Sequence, residues 1–118
     1  MDQGALFVGW GAIIAGREKA AAGVLDAALR YLQQLQDDGS VDSVDVVLLE
    51  PHGGDLEGFV LVRGGRDTLA RLRVDEAFVR VIVGVQLVHQ KVGVVGAYTG
   101  AGLQTLLRLW DEQEARLL

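Results

Sequence analysis

Residues 5–14, ALFVGWGAII, run apolar without helical spacing and predict a buried first strand. In the following REKAAAGVLDAALRYLQQLQDDG, Ala21, Val24, Leu25, Ala28, Leu32 and Leu35 recur at helical intervals. Lys19, Asp26, Arg30, Gln33 and Asp37 lie opposite them, so an amphipathic helix is expected, with Gly39 as its C-terminal stop. DSVDVVLLE and LEGFVLVRG are β-rich runs on either side of PHGGD and predict an antiparallel hairpin. Pro51 ends the first arm, and Gly53 and Gly54 are expected to supply the positive φ of the reversal.

GRDTLARLR reads as a short helical turn. In VDEAFVRVIVGVQLVHQ, Phe78, Val81, Ile82, Val85 and Val88 fit a helix, while Val79, Val81, Val83, Val85 and Leu87 alternate as in a strand. The acidic DEAF opening favours a helix to about Gln86, which lets KVGVVGAY return to the sheet as the last strand. Finally, GLQTLLRLWDEQEARL places Leu103, Leu106, Leu107, Trp110 and Leu117 on one side of a C-terminal helix.

The order strand, helix, strand, strand, helix, strand, plus a helix, is the split βαβ or ferredoxin-like α+β arrangement: a four-stranded antiparallel sheet with helices on one face. The strands nevertheless carry apolar residues on both parities: Leu6, Val8 and Trp10 against Ala5 and Phe7; Val46 and Leu48 against Val47 and Leu49; Val60 and Val62 against Phe59 and Leu61. An uncovered face of four five-residue strands spans roughly 19 Å by 17 Å. A second copy is the simplest cover for it, so a homodimer formed through the sheet is expected.

Composition narrows the picture. A chain of 118 residues suits one domain, residues 1–118, with a single core. Half of the residues are hydrophobic and only 23% are charged, a lean that suits burial between chains. A net charge of -5 argues against nucleic acid and anionic membranes as partners. There is no cysteine, which removes thiolate chemistry, and two histidines fall short of an ordinary zinc site. The apolar N-terminal run has only Asp2 as a charge before it, unlike a signal peptide, and is too short to span a bilayer; a cytoplasmic protein is the expectation.

Several groups could carry chemistry. His52 lies among Glu50, Asp55 and Glu57, and two carboxylates and an imidazole could converge on a divalent cation. A solvated turn explains the same residues, so no metal site is assigned. His89, where the second helix hands over to the last strand, is the candidate catalytic base, against the plainer reading of a solvated histidine at a helix C-terminus. Trp10 and Tyr98 are the candidate ligand-binding residues, a ring platform and a hydroxyl; Trp10 serves equally well as core. GWGAIIAG has Ile14 where a dinucleotide fingerprint needs its third glycine, and no cofactor is assigned. Arg63, Arg66, Arg71 and Arg73 could gather an anion, but Asp67, Asp75 and Glu76 are near enough in sequence to neutralise them as an ion-paired face.

The element order, the opening LFVGWG, the hairpin LLEPHGGDLEGFVLVRG, the DEAF helix start and the exit VGVVGAYTG carry a resemblance across nearly the whole chain. It resembles the dimeric α/β barrel superfamily, in particular small bacterial relatives of antibiotic-biosynthesis monooxygenases and of stress-responsive barrel proteins. That resemblance implies two subunits packed sheet on sheet and a pocket between sheet and helices. Relatives that degrade haem use an Asn on the first strand, which this chain lacks. Two functions follow as expectations. One is a small-molecule-binding homodimer. The other is a cofactor-independent monooxygenase or isomerase acting on a small aromatic or enolisable compound, with His89 as base and Trp10 and Tyr98 as positioning groups.

Overall fold

The structure, a computed structural model, describes residues 3–118. In chain order it contains β1 (Gln3–Trp10), α1 (Glu18–Asp37), β2 (Ser43–Leu48), β3 (Gly58–Gly65), α2 (Arg66–Val74), α3 (Glu76–Val88), β4 (Gly93–Ala97) and α4 (Gly100–Leu117). The strands form one antiparallel sheet in the order β2-β3-β1-β4, the expected α+β ferredoxin-like arrangement. Leu6 pairs with Val62, Val8 with Val60 and Trp10 with Gly58, so these residues share a face. They form the core together with Ala28 and Leu32 of α1 and Phe78 and Val85 of α3. Leu6, Val60, Val62 and Phe78 are fully buried, each worth about 1.5–3 kcal/mol.

Four expectations change in detail. The first strand ends at Trp10, and the following apolar run to Ile14 turns to pair with the end of α3. The short turn GRDTLARLR is a nine-residue helix, α2, inserted before the covering helix α3. The ambiguous segment is helical through Val88, because Phe78, Val85 and Val88 are buried together; the strand-like alternation of Val79, Val83 and Leu87 falls on exposed positions. Of the two turn glycines only Gly53 has positive φ, at 82°. At Gly54 a Cβ would stand 2.6 Å from the exposed His52 ring, so the glycine lets that ring lie over the turn.

The opposite sheet face carries Phe7, Phe59, Leu61, Val47 and Val95, partly buried or exposed, with Phe7 and Phe59 stacked at 5.2 Å between ring centroids. Leu61 pairs with Phe7 and Asp45, and Val47 pairs with Phe59, so Val47 and not Val46 belongs to this face. The apolar stripe of α4 is also uncovered, with no buried residue and Trp110 67% exposed. Among the described residues no helix is long and apolar enough to cross a membrane.

Candidate functional site

The end of α3 builds a small enclosed polar centre. His89 leaves the helix in extended conformation (φ -120°, ψ 149°), and the chain then pairs with the segment after β1. Gly11 N–H donates to the Gln90 carbonyl at 2.7 Å, Gln90 N–H to that of Ala12 at 2.8 Å, and Ile14 N–H to that of Val88 at 2.8 Å. Gly11 permits this approach, since a Cβ there would lie 2.9 Å from the Gln90 oxygen.

Enclosed by these strands, His89 is 6% exposed, which corrects the picture of a solvated histidine at a helix end. Its Nδ1 lies 2.8 Å from the Gly11 carbonyl oxygen. A carbonyl only accepts, so Nδ1 carries the hydrogen of this contact. Nε2 is buried without a hydrogen-bond partner. Its aromatic neighbour is Trp10, 3% exposed, in an edge arrangement with ring centroids 6.5 Å apart. Gly58 leaves room for the indole, because a Cβ there would stand 2.8 Å from Trp10 Cζ2. Chemically, this centre is an imidazole with one nitrogen bonded to backbone and the other unpartnered, enclosed beside an indole.

Tyr98 is not part of it. Ala5 pairs with Ala97 while Gly9 pairs with Gly93, so Tyr98 follows β4 at the Gln3 end of β1, and Trp10 closes the other end. The two ends of an eight-residue strand are roughly 24 Å apart. The structure brings His89 and Trp10 together and leaves Tyr98 60% exposed elsewhere.

At the Tyr98 end lies a cavity of about 470 Å³, bounded by β1, the end of β4, α2 and α4. Leu6, Leu69, Leu106 and Leu109 give it apolar walls, and Arg66, Arg73, Gln3, Tyr98, Thr99 and Thr105 give it polar groups. Neither Trp10 nor His89 lines it. The resemblance implied a pocket between sheet and helices, and the sequence selected Tyr98, but Trp10 and His89 were expected with it and the arginine-bearing wall was not. The available signal was the spacing of Arg66, Leu69, Ala70 and Arg73, one face of a helix two turns long, which reading the segment as a mere turn concealed.

The arginines separate accordingly. Arg63 pairs with Asp45 at 2.5 Å and Arg71 reaches Thr68, while Glu76 pairs with Arg80. Arg73 donates to the Val94 carbonyl at 3.2 Å. Thus the acids close in sequence do not neutralise Arg66 and Arg73 by ion pairing, and these two face the cavity.

The hairpin histidine is locally bonded. Gly54 N–H donates to His52 Nδ1 at 3.2 Å, which leaves Nε2–H to donate to the Leu56 carbonyl at 2.8 Å. Asp55 pairs with Lys91 at 2.5 Å, and this ammonium holds the carboxyl below its usual range. Among the described residues no three histidine or acidic side chains gather as a metal site. His52→Ala is expected to destabilise the protein by about 1 kcal/mol, because two hydrogen bonds of the turn are lost at an exposed position. Chemical denaturation measures it, and an unchanged midpoint would show that the imidazole does not hold the turn.

Comparison with known proteins agrees on architecture. No family profile and no curated protein matches the sequence. Among solved structures, the chain is similar to a dimeric protein of unknown function with a ferredoxin-like fold from Bacteroides fragilis NCTC 9343. The TM-score is 0.62 at 9% identity, over 82% of this chain and 96% of that one. It is also similar to SnoaB, a cofactor-independent oxygenase from Streptomyces nogalater. The TM-score there is 0.52 at 10% identity, over 86% of this chain and 98% of that one. A variant of SnoaB gives 0.56 at 9% identity over the same shares. At such identities the likeness is one of fold alone.

Proposed function

We propose that this chain is a small-molecule-binding protein, one ferredoxin-like domain acting as a homodimer, with its ligand held between β1, α2 and α4. The observation that carries the reading is the cavity itself. Its volume of about 470 Å³ falls within the roughly 300–1,000 Å³ of small-molecule sites, and it combines leucine walls with a few polar groups. The apolar face of Phe7, Phe59 and Leu61 supports the homodimer, as does the dimeric state of the B. fragilis protein. Native mass spectrometry of the protein purified without denaturant is expected to give the dimer mass with a retained small molecule. A monomer without any adduct would overturn the reading.

A cofactor-independent monooxygenase or isomerase is the second reading, and the unpartnered Nε2 of His89 favours it, with SnoaB as a fold neighbour. In that case His89 takes a proton from an enolisable or phenolic substrate only where the packed end of α3 opens to admit it, because Nε2 is buried and neither His89 nor Trp10 lines the cavity. Tyr98, at the far end of β1, takes no part. Dioxygen uptake or isomerisation with an enolisable aromatic ketone tests it. Turnover that is unchanged in a folded His89→Gln variant would remove His89 from the role.

A further inference from the structure

The α2 face of the cavity reads Arg66, Leu69, Ala70, Arg73, so two cations stand roughly 10 Å apart along the helix with an apolar floor between them. No carboxylate side chain lines the cavity among the described residues, although the chain as a whole carries a net charge of -5. A positive lining in an acidic protein selects the sign of the ligand. The two guanidinium groups are not equivalent. Arg73 is anchored on the Val94 carbonyl, while Arg66 has neither an ion pair nor a side-chain hydrogen bond among the described residues.

Gly4 fixes where Arg66 lies. A Cβ at that position would stand 2.9 Å from Arg66 Cγ, so the bare glycine lets the arginine stem lie against β1. Two more glycines, Gly96 and Gly102, line the cavity, and a Cβ at either would meet nothing within 4 Å. The space is therefore kept open partly by missing side chains.

We infer that the cavity takes a small carboxylate with an apolar body, its anionic group on Arg66 and its body against Leu69, Leu106 and Leu109. This rests on the small-molecule reading above and adds the sign and shape of the ligand. A guanidinium offers parallel N–H donors to a carboxylate, and because Arg66 is an exposed residue this pair sets the sign of the ligand more than the strength of binding. The apolar body supplies the non-directional part of the affinity.

Calorimetric titration with 2-naphthoate and with its neutral counterpart 2-naphthamide separates the two contributions. The carboxylate is expected to bind at least about tenfold more tightly to the unaltered protein. Arg66→Gln should abolish that preference while leaving naphthamide affinity in place. Gly102→Leu should abolish binding of both probes. Its helix should persist, because leucine favours helix over glycine, and the melting curve verifies folding. Should Gly102→Leu fail to fold, Gly96→Val closes the same space from β4 and serves in its place.

Equal affinity for the two probes, with both lost in Gly102→Leu, would overturn the anion inference and leave the small-molecule site standing. Absence of binding by either probe at millimolar concentration would overturn both. A naphthoate preference that survives Arg66→Gln would overturn the assignment of the anionic group to Arg66.

Discussion

Trp10→Ala is expected to lower the unfolding free energy by about 3–5 kcal/mol, the cost of emptying a large aromatic site in a packed core. The indole is 3% exposed and lies against His89 and the bare backbone of Gly58. Surrounding groups that are tied into backbone pairs, such as Gly11 with Gln90, have little freedom to close the void. For a chain of 118 residues the total stability is on the order of 6–18 kcal/mol, so the loss is a large share of it. Denaturant titration followed by circular dichroism measures the change. Trp10→Phe should recover much of the stability. Ligand binding at the α2–α4 cavity should be unchanged in it, because Trp10 closes the other end of β1. A loss below about 1 kcal/mol in Trp10→Ala would mean that the indole is a surface platform and not part of the core.

The strands and α1 were legible because each is governed by a local pattern that tertiary structure does not override. The spacing of Ala21, Ala28 and Leu32 identifies the buried side of α1, whereas FVLV is apolar on both parities and only the register with β1 shows Val60 and Val62 to be the core side of β3. The position of His89 was legible only as a junction. Its burial depends on Gly11 to Ile14 folding back seventy-eight residues away in sequence, and nothing local to LVHQK encodes that pairing. The lining of the cavity, though not the expectation of a pocket between sheet and helices, was hidden for a related reason. Its walls come from β1, α2, β4 and α4, and only the α2 face carries a spacing that could have announced it. Charge neutralisation was misread because proximity in sequence is not proximity of side chains: Glu76 turns to Arg80 one helical turn on, away from Arg66 and Arg73.

Leu61→Lys is expected to dissociate the homodimer proposed above, or to give aggregated protein if the exposed face finds other partners. Leu61 sits mid-strand on the outer face, paired with Phe7 on one side and Asp45 on the other. A two-fold interface presents the same patch from both subunits, so each substitution enters twice. Two ammonium groups without counterions in a dry contact cost several kcal/mol together, enough to weaken association by about a thousandfold or more. Val46→Lys is the matched control: Val46 shares the core-side parity, lies on an edge strand and is already 43% exposed, so its lysine can reach water without crossing the dimer contact. Sedimentation velocity at micromolar concentration should show dimer for the unaltered protein and for Val46→Lys, and monomer or aggregate for Leu61→Lys. A Leu61→Lys protein that remained a well-folded dimer would place the contact elsewhere, with the uncovered stripe of α4 at Leu103, Leu107 and Trp110 as the surface to vary next.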